Sequence, residues 1–87
     1  MNRRPMKKKV TLYVNDPMGG RCASNLDAAR RLGNELEIEV EVVAKSSREY
    51  GLEKDPPPCP SVAVDGRLVV KDGTIGYEEL KAEILED

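Results

Sequence analysis

A single α/β domain of order β-α-β-α-β-β-α, with helices packed on the faces of a four-stranded mixed sheet, is predicted by three features of this 87-residue chain. An apolar β-type run over residues 10–14 leads into a stretch with helical spacing. Residues 36–42 alternate between apolar and acidic side chains. Two short apolar runs are then pinched around Asp65-Gly66, and an amphipathic segment closes the chain. Helical and alternating periods interleaved in this way are the signature of helices laid on a sheet.

Val10, Thr11, Leu12, Tyr13 and Val14 form a near-continuous β-prone run ended by Asn15-Asp16-Pro17, as expected of a central strand covered on both faces. After a loop over 17–21, Cys22, Leu26, Ala29 and Leu32 approximate one helical face, and Gly33-Asn34 supplies a stop. Ser24 with Asp27 resembles a capping box, which sets the first turn between Arg21 and Asn25. Leu36, Ile38, Val40 and Val42 alternate with Glu37, Glu39 and Glu41, giving a strand with one wet acidic face. Those glutamates are read as guards that keep an exposed strand from pairing with other molecules. Ser46, with Glu49 three residues on, caps a short helix that Gly51 ends. Pro56, Pro57 and Pro58 fix φ and remove donors, so 53–58 is an extended approach loop. Pro60 suits the first residue of a strand, and Asp65-Gly66 tolerates the positive φ of a two-residue hairpin turn. Thr74 or Gly76 opens the last helix, with Tyr77, Leu80, Ile84 and Leu85 as its buried stripe and Glu78 and Glu79 at its positive end. The two strands joined by a helix run parallel, and the hairpin adds antiparallel strands at one edge.

Composition narrows the classes. Trp and Phe are absent and the aromatic residues are Tyr13, Tyr50 and Tyr77, so the core is built from Val, Leu, Ile and Ala. Net charge is −2, yet Arg3, Arg4, Lys7, Lys8 and Lys9 precede the first apolar run and leave the rest of the chain acidic. Residues 1–8 are read as a flexible basic tail and 9–87 as the domain. With an acidic body and no interleaved aromatics, the tail is taken as a solvated end rather than a nucleic-acid or membrane arm. No apolar region follows the basic residues as in a signal peptide, and no run reaches membrane-spanning length. A cytoplasmic monomer is expected, in which two cysteines do not serve as a structural staple.

Three segments carry a resemblance to the thioredoxin-like superfamily, in particular its small glutaredoxin-sized members. They are the first strand running through a loop into a helix that bears Cys22, Tyr50-Gly51-Leu52 before the proline loop, and Pro60-Ser61-Val62-Ala63-Val64-Asp65-Gly66. The resemblance spans roughly Lys9 to Leu85 and implies a cis peptide before Pro60. It also implies that the start of the first helix faces the loop before that proline, which makes Cys22 and Cys59 neighbours in space. The chain departs from the family's Cys-x-x-Cys. Cys22 stands either at the second position, in Gly19-Gly20-Arg21-Cys22, or at the first, in Cys22-Ala23-Ser24-Asn25. Cys59 occupies a place where Thr, Val or Ile is usual, the loop before it is extended, and no clear glutathione-carboxylate site surrounds Gly73-Thr74.

The absence of histidine excludes His-based triads and imidazole metal sites. Gly19-Gly20 is not followed by the Gly-Lys-Ser/Thr of a Walker loop, and Ala28 stands where a Cys-x5-Arg phosphatase loop needs arginine. Thiol–disulfide exchange remains, with no cofactor and no bound metal. Its substrate is a protein or a low-molecular-weight thiol or disulfide. Cys22, at a helix tip beside Arg21, is cast as the nucleophile, because the helix dipole and a cation favour a thiolate. Cys59 is then the resolving partner, and Pro60, Ser61, Gly20 and Arg21 hold the substrate. The roles reverse if Cys22 is in the family's buried second position. The alternative function is a redox-inactive module that binds an extended peptide at the Pro60 loop. In that case Cys22 is a small apolar helix residue and Cys59 an incidental loop thiol.

Overall fold

The computed structural model describes residues 8–86. Its elements are β1 (Lys8–Val14), α1 (Gly20–Glu35), β2 (Ile38–Ala44), α2 (Arg48–Leu52), β3 (Ser61–Val64), β4 (Arg67–Val70) and α3 (Tyr77–Leu85). The strands form one sheet of order β2-β1-β3-β4. β2 runs parallel to β1, β3 antiparallel to β1, and β4 antiparallel to β3. The element sequence and the mixed strand directions match the expectation; β1 and β3 lie inside and β2 and β4 at the rims.

β1 starts earlier than its apolar run, because Lys8 and Lys9 already pair with Ile38 and Glu39. The expected tail therefore loses Lys8 to the sheet, and residues 1–7 lie outside the described residues. Alternation along β1 sorts the two faces. Val10, Leu12 and Val14 join Val62 and Val64 beneath α1 and α3, with Ala29, Leu32, Leu80 and Ile84 completing the core. Leu12, Leu32 and Leu80 are fully buried, each contributing roughly 1.5–3 kcal/mol of apolar transfer. Tyr13, on the other face, meets Tyr50 of α2.

α1 begins at Gly20 after a Gly19 cap that makes no side-chain hydrogen bond, so Ser24 and Asp27 lie inside the helix and cap nothing. The burial of Cys22 and Asn25 requires helix from the outset, since both must fall on the face that carries Ala29 and Leu32. The helix also passes through Gly33-Asn34. Leu36 packs against the core, and its N–H bonds Leu32 O at 2.8 Å, which carries the last turn beyond the expected stop. Inside α1, Asn25 is 1% exposed, donating from Nδ2 to Gly73 O at 3.1 Å and accepting at Oδ1 from Ile75 N at 2.9 Å.

β2 keeps its alternation but not a wholly wet second face. Glu39 is exposed and Glu41 pairs with Lys9 at 3.0 Å, whereas Val43, beside Tyr13, is buried near α2. Val42 falls on the core face by register yet stays exposed at the rim. Ser47, not Ser46, caps α2 by accepting from Tyr50 N at 3.2 Å, while Ser46 Oγ donates to Asp16 Oδ2.

The hairpin follows its residues. Asp65 (φ 51°) and Gly66 (φ 85°) both take the left-handed conformation of a type I′ turn. Asp65 also extends the ladder, since its N–H bonds Lys9 O at 2.8 Å and its Oδ1 accepts from Lys9 N at 2.9 Å. α3 is capped at Gly76, whose N–H is met by Glu79 Oε1 at 3.1 Å. Leu80 and Ile84 are buried, but Leu85 is 61% exposed. Successive helical residues diverge by about 100°, so a helix that turns Ile84 inward turns its neighbour out.

Candidate functional site

Cys22 is the third residue of α1 and is buried. Its sulfur lies at the end of β1, where Asn15 N donates to Sγ at 3.2 Å and Asn15 Nδ2 approaches to 3.9 Å. Cys59 precedes β3 and is half-buried, and the Cys59–Pro60 peptide is cis. The antiparallel pairing of β1 with β3 ends at Tyr13 and Ser61, two residues short of Asn15 and of Cys59. The Cys22 and Cys59 segments thus flank the same end of the β1–β3 ladder. Both cysteines are free thiols.

Burial pushes the Cys59 thiol above the ordinary cysteine range. The Tyr50 hydroxyl pulls the other way, a charge on Cys22 adds to the rise, and Lys45 opposes it. Because charge on Cys22 is felt at Cys59, the two sulfurs share one electrostatic neighbourhood.

The expected binding residues divide into two groups. Gly20 and Arg21 are exposed at the tip of α1. Arg21 Nη2 reaches Asp72 Oδ1 at 3.3 Å, so its charge is committed to that carboxylate rather than to Cys22. Pro60 and Ser61 are buried. Pro60 O accepts from Gly73 N at 2.9 Å, and Ser61 Oγ donates to Pro58 O while accepting from Asp72 N at 3.1 Å. These two residues therefore fix the loop from within, and the surface they were expected to offer falls to Cys59. Among the described residues, neither backbone polar group of Cys59 is hydrogen-bonded.

Sequence reasoning did not assign Asn15, Lys45 or Tyr50 to the site. Tyr50 had the clearest signal, as one of three aromatic residues in the chain and close to three consecutive prolines. A depression of about 480 Å³ lined by Lys8, Val64, Asp65, Arg67 and Glu86 opens at the opposite end of the sheet and includes neither cysteine. Compared with known proteins, the chain matches no protein-family model and no curated sequence.

Proposed function

We propose that the chain is a divergent thioredoxin/glutaredoxin-like protein in which Cys22 and Cys59 form a thiol–disulfide redox pair. The observation that carries this reading is that the two cysteine segments flank the same end of the β1–β3 ladder, where Asn15 holds the Cys22 sulfur and charge on Cys22 is felt at Cys59. The strand order β2-β1-β3-β4 is compatible with a thioredoxin-like fold. Cys22 follows a Gly19 cap as the third helical residue, which favours the family's buried second position.

Exposure favours roles opposite to the first expectation, because Cys59 is the more accessible thiol. Its thiolate attacks a protein or low-molecular-weight disulfide, forming a mixed disulfide, and the departing thiolate takes a proton from water. Deprotonated Cys22 then attacks the Cys59 sulfur. The second substrate sulfur leaves as a thiolate and takes a proton from water, so the substrate has gained the two electrons that the Cys22–Cys59 pair lost in forming its disulfide. A small thiol reductant returns both cysteines to thiols. With burial holding the Cys59 proton, exchange accelerates as pH rises.

Oxidation by glutathione disulfide tests the reading. The expected product is a monomer two hydrogens lighter with no titratable thiol, while Cys22→Ser stops at a mixed disulfide on Cys59. Retention of both thiols, or bridging only between molecules, rejects the pair. The unbonded Cys59 backbone favours a second reading, in which an extended peptide pairs there without exchange. Undiminished peptide capture by a Cys22→Ser, Cys59→Ser protein is the result that reading requires.

A further inference from the structure

β2 is a rim strand of seven residues that keeps an unbroken register with β1 and contains no proline. The other rim strand, β4, has four residues and an irregular register. Lys45 N bonds Val14 O at 2.8 Å, so the odd-numbered residues of β2 turn their backbone groups to β1. Successive residues of a strand point these groups to opposite sides, which turns the N–H and C=O of Val40 and Val42 outward. Among the described residues those groups have no partner. Side chains alternate too. Glu39, Glu41, Val43 and Lys45 share the sheet face that carries Tyr13, while Val42 stands on the other face and is 45% exposed. Lys9 takes Glu41 at 3.0 Å. Glu39 and Lys45 are exposed and, among the described residues, form no ion pair.

We propose that this edge pairs with a second copy of the chain, antiparallel through β2, with Val42 on the two-fold axis. Charge selects that register. A two-fold pairing centred on Glu41 sets Glu41 against itself, and one centred on Val40 sets Glu39 against Glu41. Centring on Val43 shortens the ladder, because Val40 then falls opposite Ser46, beyond the strand. Centred on Val42, Glu39 of each copy lies opposite the partner's Lys45, and Glu41 lies opposite the partner's Val43. Val42 exchanges backbone bonds with its own counterpart, and Val40 with the partner's Ala44. Ala44 O already accepts from Ser47 N and takes the new bond through its second lone pair. Glu39 and Lys45 then meet at a non-hydrogen-bonded position, where cross-strand side chains come closest. The contact is isologous and joins two four-stranded sheets into one, with the exposed Val42 side chains covering each other.

The glutamates expected to guard this edge thus reject competing registers rather than all pairing. One short strand per copy makes a small interface, so association is weak and the expected monomer is the dilute form. No covalent bond is made, and the pairing is independent of the thiol–disulfide reading.

Sedimentation equilibrium under reducing conditions, from about 10 µM to about 1 mM, is expected to show the mass rising toward twice that of the chain. Glu39→Lys opposes two cations at both ends of the contact, and Lys45→Glu opposes two anions. Each is expected to weaken association about tenfold or more, with the circular dichroism of the fold retained. Mixing the two variants, or combining both changes in one chain, restores opposite charges and is expected to restore association. Amide exchange at Val40 and Val42 is expected to slow with concentration, while Glu41 and Val43, bonded to β1, keep their rates. A mass that stays that of one chain throughout, or association indifferent to either reversal, overturns the pairing. So does a mixture of the two folded variants that fails to associate, or concentration-dependent protection that spares β2.

Discussion

Asn25 spans two backbone groups of the segment between β4 and α3, Gly73 O and Ile75 N, from a site that is 1% exposed. Removing its amide leaves a half-buried carbonyl and a buried N–H unpaired, at up to roughly 1–3 kcal/mol each. Asn25→Ala is therefore expected to lower stability by about 2–4 kcal/mol, measured as a shift of the urea midpoint at unchanged slope. A loss under about 1 kcal/mol would show that the groups find other partners. Residues of this kind were hard to read from sequence. Cys22, Cys59 and Pro60 announce themselves by chemistry that few side chains have. Asn25 and Tyr50 act through partners set by tertiary contact, and an asparagine on a helix face looks like any solvated polar residue.

The β3–β4 hairpin is an element written locally. Asp65 and Gly66 take φ of 51° and 85°, conformations available to few residue pairs. Nothing lies within 4 Å of a Cβ added at Gly66, so a substitution there meets backbone strain rather than a clash. Gly66→Ala is expected to cost about 1–2 kcal/mol, read as a lower Tm with the sheet's circular dichroism retained; an unchanged Tm would count against the turn type. Helix ends were less legible because their signals compete with packing. Ser24 and Asp27 imitate a cap, yet the core needs Cys22 and Asn25 on the inner face and starts α1 earlier. Ser46 and Ser47 are chemically equivalent, and Asp16, distant in sequence, engages the hydroxyl of Ser46.

Across the whole molecule, several groups hold their protons beyond the ordinary range. Burial does so for Tyr13, Tyr50 and Cys59, a hydrogen bond to Glu35 for Tyr77, and a hydrogen bond to Glu41 for Lys9. In each case the unfolded chain releases the proton at lower pH than the folded one. Their contribution to stability is complete below the unfolded thiol value near about 8.5 and is lost as pH climbs through the phenol and amine values near about 10. The Tm is thus expected to fall steadily from about pH 9 to 11. A Tm that holds level or rises over that interval would contradict the assignment. At this scale, element order and strand directions were legible because they follow from periodicity and short connections. The meeting of Asn15, Cys22, Tyr50 and Cys59 depends on how separate segments close on one another, and periodicity does not encode that.

β1 is synthesised before β2 and β3, yet it lies inside the sheet, with β2 on one side and β3 on the other. Until residues 38–64 have emerged, Val10, Leu12 and Val14 form a sticky template with neither lawful neighbour in place. Arg3, Arg4, Lys7, Lys8 and Lys9 put a block of like charge directly upstream of that template. Two copies pairing in register through this strand would have to crowd these cations together, so the basic block is expected to oppose amyloid-like pairing.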